Sequence, residues 1–347
     1  MFLPSFDRLW WERVHGPAAL REQLVQAIQS RGVIFFHHSA PLPWPETFRS
    51  LVLEEAESRA GTLRVRPPED FWGQPLSEDE FLARFAPQCT RGFLSTATLP
   101  AFLDKRGALD GQILWLCGLT EEDQAAWAAR LGEFAALPAA GRCAVVLELD
   151  GKRIQRKKVR TISADDVLRP FDATQFCTMA VSEGGAEPGL MDYLAALCVE
   201  LTGPAPERLP LLLSAHKGLL EDPVPTVSDL LGLAQREAVH HVRRAQLRLL
   251  LPLLEDLRIS LLEDLSDVCA PLLPYQDEFG NQYTSVYDLE LRHLVHFRNC
   301  GQIQVPPEVW TEVRLCYDAR NSLMHQRNPL ELSLLRQVLD AAARRCP

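Results

Sequence analysis

The sequence predicts a two-domain protein, an α/β domain with a mostly parallel sheet followed by an all-α helical bundle. Three observations carry this expectation. Apolar runs of strand length alternate with helix-patterned segments through the first two thirds of the chain. After about residue 185 the strand-like runs stop and helical patterning takes over. The length of 347 residues suits two domains at about 150 residues each.

Gly32 to His38, GVIFFHH, is a short run rich in Val, Ile and Phe that follows the amphipathic stretch AALREQLVQAIQSR, so a buried strand is expected there. WPETFRSLVLEEAESRA then places Trp44, Phe48, Leu51 and Val52 at helical spacing. GTLRVRP is a second strand candidate. QILWLCGL, Gln112 to Leu119, is a third, apolar on both faces as an inner parallel strand would be. Thr120 with Asp123 three residues on is a helix-start pattern, and AAWAARLGEFAAL continues that helix. CAVVLEL, Cys143 to Leu149, is a fourth strand. Beyond it, proline-containing joints separate helical pieces, and the domain boundary is expected near residue 220, giving domains 1–220 and 221–347. The second domain reads as four or five helices and one irregular loop, PLLPYQDEFGNQYTS.

The net charge of −10, from 46 acidic and 36 basic residues, argues against a general nucleic-acid coat, which needs an excess of Lys and Arg. It leaves room for a small basic site. No stretch reaches the roughly 20 apolar residues of a membrane helix. The start of the chain, MFLPSFDRLWWERVHG, lacks the basic, apolar and small-residue regions of a secretion signal. The nine cysteines are irregularly spaced, form no CxxC pair and lie partly inside apolar runs, which predicts reduced thiols without zinc. A cytoplasmic protein without a membrane span, metal or cofactor is expected.

A strand followed by a helix invites a search for a phosphate-binding loop, G-x-x-x-x-G-K-[ST], in which glycine backbone donors wrap the phosphates. After GVIFFHH the chain reads SAPLPWPETF, with no glycine, no lysine and three prolines. The only G-x-x-x-x-G, Gly184 to Gly189, is followed by Leu190. QILWLCGL ends without an acidic residue for magnesium. The equipment for NTP hydrolysis is therefore missing.

His37 and His38 close a strand with no acidic or cysteine neighbour in sequence, so a polar pair with ordinary partners is favoured over a metal site. His240 to Arg244, HHVRR, reads as a basic face of a helix. The one dense basic run is Lys152 to Thr161, with Lys152, Arg153, Arg156, Lys157, Lys158 and Arg160. It suits edge protection on an exposed strand or hairpin. It also suits a contact with RNA or an acidic partner.

The most informative segment is VPPEVWTEVRLCYDARNSLMHQRNPLELSLLRQVL. Val309, Val313, Cys316, Tyr317 and Leu323 fit one face of a helix from about Pro307 to His325. Within it stands Arg320-Asn321-x-x-x-His325. At about 100° per residue Asn321 and His325 share a face and Arg320 flanks it. An Arg can neutralise a pentacoordinate phosphate, and a His can move a proton near neutral pH, with no metal. The same residues also suit a helix end, where basic groups meet the dipole and Pro329 stops the chain, with Glu290 as the partner of Arg320.

This motif resembles the signature of HEPN domains, R-x4-6-H with a polar residue after the Arg. The resemblance extends to RAQLRLLLPLLEDLRISLLEDL, a helix pattern interrupted by Pro252, then to the irregular loop and YDLELRHLVHF, and covers roughly residues 226 to 347. It implies a helical bundle that dimerises and cuts single-stranded RNA without metal, leaving a cyclic phosphate, with Arg320, Asn321 and His325 as the catalytic set. The family also includes members that bind without cutting. The first two thirds of the chain resembles the inactive STAND-type NTPase domains of prokaryotic conflict systems, through GVIFFHHSAPL and ILWLCGLTEEDQAAW. That resemblance implies a degenerate P-loop-like domain for sensing or scaffolding, joined to a HEPN effector in an antiviral defence system with protein partners of its own. The alternative expectation is a non-catalytic adaptor in which both domains bind partners.

Overall fold

A computed structural model of the chain describes residues 5–66, 69–71, 73–93, 98–151, 153–184 and 187–346. The chain divides into two compact units, Met1–Asp172 and Ala173–Pro347. The division falls well before the expected position near residue 220, because the helical pieces between Ala173 and residue 220 belong to the second unit.

The first unit opens with helices α1 (Phe6–Arg13) and α2 (His15–Gln29), strand β1 (Gly32–His38) and helix α3 (Pro45–Ala60). Two short strands follow, β2 (Arg64–Val65) and β3 (Glu69–Asp70), then α4 (Glu78–Phe85) and α5 (Leu99–Arg106). The unit continues through β4 (Gln112–Cys117), α6 (Glu121–Phe134), β5 (Ala144–Asp150), β6 (Arg160–Ser163) and α7 (Ala164–Val167). The sheet order is β2-β4-β5-β1-β6, with β3 also paired to β4, and every pairing is parallel. The α/β expectation therefore holds, and the strand bounds of β1 match those read from the sequence.

The apolar strands reflect burial on both faces. Val33, Phe35, Leu114, Leu116, Val145 and Leu147 join one cluster with Phe81, Phe102 and Trp127 of α4, α5 and α6. The alternate residues Phe36 and Trp115 turn the other way, where Phe36 meets Phe48 of α3, and Phe48 meets Trp11 of α1. The Thr120 hydroxyl caps α6 by accepting from the Asp123 amide at 3.2 Å.

A carboxylate sits inside this apolar layer. Glu148 of β5 is 6% exposed. Its carboxylate accepts from Arg49 Nε at 2.9 Å, Arg49 NH2 at 2.8 Å and Trp115 Nε1 at 2.7 Å, and His38 Nε2 lies at 3.2 Å. Burial alone would raise the Glu148 carboxyl, but the hydrogen bonds from His38 and Arg49 and the Arg49 charge hold it down at about 2. His38 is pushed down by burial, yet the bond to Glu148 and its charge outweigh that and leave it raised. His37 Nε2 meets Ile154, whose amide lies at 3.1 Å and whose carbonyl lies at 3.0 Å. Both histidines thus have ordinary protein partners.

In the second unit, α8 (Pro170–Glu183) crosses the division and α9 (Met191–Thr202), α10 (Leu209–Ser214), α11 (His216–Glu221) and α12 (Pro223–Leu231) follow. Next come the long α13 (Gln235–Asp264), the short α14 (Ser266–Cys269), strands β7 (Tyr275–Gln276) and β8 (Gln282–Tyr283), and helices α15 (Leu291–Asn299), α16 (Pro307–His325) and α17 (Leu332–Arg345). The helical expectation holds, with three corrections. Part of the irregular loop pairs as an antiparallel hairpin, Tyr275 with Tyr283 and Gln276 with Gln282. Helix α13 also runs through Pro252. The basic face expected at HHVRR is not simply solvated, because His241, Arg244 and Arg248 converge on the buried Glu200 of α9. Among the described residues no helix is long and apolar enough to cross a membrane.

Replacing Glu148 by Gln removes the buried negative charge on which Arg49, His38 and Trp115 converge and is expected to cost about 3 kcal/mol or more. Two pH limbs are expected in chemical denaturation. The Glu148 contribution is present above about pH 4.3, the ordinary carboxyl value, and is lost as the pH falls toward about 2. The His38 contribution is present below about pH 6.5 and is lost as the pH rises through its raised value. A Glu148→Gln protein with unchanged stability and the same pH dependence would contradict this account.

Candidate functional site

Helix α16 spans Pro307–His325, the bounds expected from its sequence pattern. Pro307 stands at its first position, where the missing N–H costs nothing. Val313, Cys316, Ala319 and Leu323 are its buried stripe. They recur at three and four and hold the helix in the bundle, so Tyr317, Asn321 and Met324 fall elsewhere on its circumference.

Arg320, Asn321 and His325 line one open cleft of about 410 Å³, together with Tyr317, Glu290 and Arg292. Arg320 NH1 donates to Glu290 Oε2 in a close ion pair, the pairing expected from the sequence. The Arg320 side chain is 41% exposed and that of Glu290 36%, so this is a surface pair at the cleft wall and not a buried strut. Neither Asn321 nor His325 has a side-chain hydrogen bond among the described residues, and His325 is exposed in the last turn of α16. Arg292 is the cation that the motif did not announce. Its NH2 donates to the Tyr283 hydroxyl at 3.2 Å and reaches Asp277 at 3.5 Å.

The cleft is held from behind by α13. Arg258 NH1 donates to the carbonyls of Tyr287 and Leu289 at 3.0 and 2.8 Å and so fixes the segment that presents Glu290. Arg243 NH2 donates to the Leu323 carbonyl at 2.8 Å, satisfying an end carbonyl of α16. Gln246 is buried and bonds the backbone of Leu330 twice, accepting its N–H at 2.7 Å and donating to its carbonyl at 3.0 Å. That double bond returns the chain after His325 to the core. On the other side, His293 Nδ1 accepts the Glu290 backbone N–H at 2.9 Å, which places the ring proton on Nε2. Burial and the nearby Arg292 push His293 down, and the neutral ring stays an acceptor.

Two cations, an amide, a phenol and an imidazole around one cleft can bind and polarise an anionic ester. The basic run that suits an RNA or partner contact belongs to the first unit. Lys152 lies outside the described residues. Arg153 pairs with Asp166 at 3.0 Å, and Arg160, on edge strand β6, donates to Ser30 Oγ at 3.2 Å. Arg156, Lys157 and Lys158 line a shallow depression beside α6, where Gly132 lets the Arg156 stem come close; a Cβ there would lie 3.0 Å from it. Sequence reasoning missed Arg292 because its neighbours Leu289, Leu291 and Leu294 dominate the local pattern, and the reach from α15 to α16 exists only in the fold.

A comparison with models of known protein families and with characterised proteins finds no match for this chain.

Because the Arg320 pair is half exposed, Arg320→Ala is expected to change folding stability by less than about 1 kcal/mol. Gln246→Ala leaves the Leu330 backbone groups buried without partners and is expected to cost about 1–3 kcal/mol. Thermal melts of the two variants side by side check this. A larger loss in Arg320→Ala than in Gln246→Ala would reverse the assignment of structural and functional roles.

Proposed function

We propose that the second unit is a metal-independent endoribonuclease of the HEPN type, acting in the cytoplasm as a homodimer within a prokaryotic defence system and regulated by the first unit, an inactive relative of STAND NTPases. The observation that supports this reading best is the gathering of Arg320, Asn321, His325 and Arg292 around one open cleft, with Asn321 and His325 uncommitted to other side chains. A purely structural motif would have spent these groups on partners. The half-exposed state of Arg320 points the same way.

In the proposed reaction a single-stranded RNA phosphate lies between Arg320 and Arg292. His325 takes the proton of the neighbouring ribose 2′-hydroxyl. The 2′-oxygen bonds to phosphorus while the bond from phosphorus to the 5′-oxygen breaks. The 5′-oxygen receives its proton from the imidazole of a second copy across the dimer, and the products are a 2′,3′-cyclic phosphate and a 5′-hydroxyl. The two guanidiniums offset the charge on the pentacoordinate phosphorus. Asn321 holds a non-bridging oxygen. Glu290 competes with the phosphate for Arg320, but a guanidinium has five donors, and the Glu290 bond engages only one nitrogen.

The deciding experiment is cleavage of single-stranded RNA in EDTA by the native protein and by the Arg320→Ala/His325→Ala double variant. The native protein is expected to cut and leave cyclic phosphate ends, and the double variant to lose about a hundred-fold or more. Equal cleavage by the two, or none by the native protein, would overturn the proposal. Glu290→Gln is expected to tighten RNA binding, as it frees Arg320 from its competitor.

A further inference from the structure

A second cleft adjoins the first, and Arg292 lines both. It measures about 360 Å³ and is lined, besides Arg292, by Tyr275, Asp277, Glu278, Phe279, His293 and His296. Its composition differs from that of its neighbour. Four of the seven lining residues carry flat rings, and the carboxylates are Asp277, which the turn holds, and Glu278 at its tip.

The order of this cleft rests on Asp277. Its Oδ1 accepts from the backbone N–H of Phe279 at 3.0 Å and of Asn281 at 2.9 Å. Its Oδ2 accepts from Asn281 Nδ2 and from the Tyr283 hydroxyl, each at 3.0 Å. Gly280 takes φ +86°, a left-handed conformation that closes the turn and that other residues rarely adopt. The turn between β7 and β8 is therefore a fixed frame. Tyr275 is locked beneath it, edge-on to Phe297 at 4.9 Å and beside Tyr283 at 6.0 Å.

On this frame Phe279 is 73% exposed, the most exposed large apolar side chain among the described residues. Presenting a phenyl ring to water on a turn held by four hydrogen bonds gains nothing for the fold. The ring stands instead where a flat apolar surface can be laid against it. His296 is exposed at the same cleft, and the Arg292 guanidinium, 51% exposed, leads from it to Arg320. An aromatic platform beside a path of cations matches a nucleotide, with a base on the ring and its phosphate on the guanidiniums. An acidic peptide would match the cations but would leave the rings unused.

We propose that the cleft of Phe279, Tyr275 and His296 is a base-stacking subsite, which takes one unpaired base of a single-stranded RNA whose adjoining phosphate reaches Arg292 and the Arg320–His325 cleft. This rests on the ribonuclease reading only for where the phosphate goes. It restricts the substrate to RNA whose base is free to leave its neighbours. A base in a duplex is stacked on both sides and cannot enter.

The test uses the full chain carrying His325→Ala, so that RNA is bound without being cut. The probes are a fluorescein-labelled single-stranded ten-nucleotide RNA, the same RNA in a duplex, and a single-stranded oligomer of the same length with abasic residues. Binding is read by fluorescence anisotropy. Single-stranded RNA is expected to bind, and Phe279→Ala to weaken it by about ten-fold or more, the size of one lost base–aromatic stack. Phe279→Trp is expected to restore it. The duplex and the abasic oligomer are expected to bind weakly, with no response to Phe279. In the cleaving protein Phe279→Ala should raise KM and leave kcat nearly unchanged. Equal binding of single-stranded RNA by the Phe279→Ala and parent proteins overturns the subsite even if cleavage is found. Phe279-dependent binding without any cleavage by the native protein keeps the subsite and removes the ribonuclease reading. Neither binding nor cleavage removes both.

Discussion

The chain around the motif helix is irregular, and buried irregular backbone must still find hydrogen-bond partners. Helix α13 supplies them. Arg243 takes the carbonyl near the end of α16, Gln246 takes both backbone groups of Leu330, and Arg258 takes the two carbonyls just ahead of Glu290. The cleft exists because polar side chains of one helix replace the ladder that the loops lack.

The first unit meets its own constraint in the opposite way. Its inner strands β1, β4 and β5 are apolar on both faces, and the Glu148 carboxylate among them is met by four nitrogens drawn from β1, α3 and β4. Such a network rarely adds stability over an apolar core, but it makes the arrangement unforgiving, since the loss of one member strands the rest. The loop after β1, where a phosphate-binding fold would place its glycines, is likewise filled with internal bonds. Ser39 donates to Asp165 from both its backbone and its hydroxyl, and the Pro43 carbonyl accepts from Trp11.

The strands β1, β4 and β5 and the helix α16 were legible in the sequence because burial wrote them there. Unbroken apolar runs marked the first three, and a three-and-four stripe between prolines marked the fourth. The pairing of Arg320 with Glu290 was legible too, as a basic residue facing an acidic one on the preceding segment. Glu148 was not, since one acidic letter in CAVVLEL reads as a strand end until its partners from other elements are seen. The division at Asp172 escaped because proline joints punctuate the helices on both sides of it, and composition cannot say which core a short helix serves. The hairpin of β7 and β8 escaped because two-residue strands carry no periodicity. Arg292 escaped because its meaning is a meeting of two helices and not a spacing.

Gln246 and Arg258 sit on the same helix, twelve positions and about 18 Å apart. One holds the chain that leaves α16 and the other holds the chain that delivers Glu290. A deletion of a single residue between them would turn one anchor by about 100° relative to the other and shift it by about 1.5 Å. Every residue of the motif would survive that deletion, and the cleft would not. The number of residues in α13 between these two positions therefore shapes the cleft as directly as the side chains that line it.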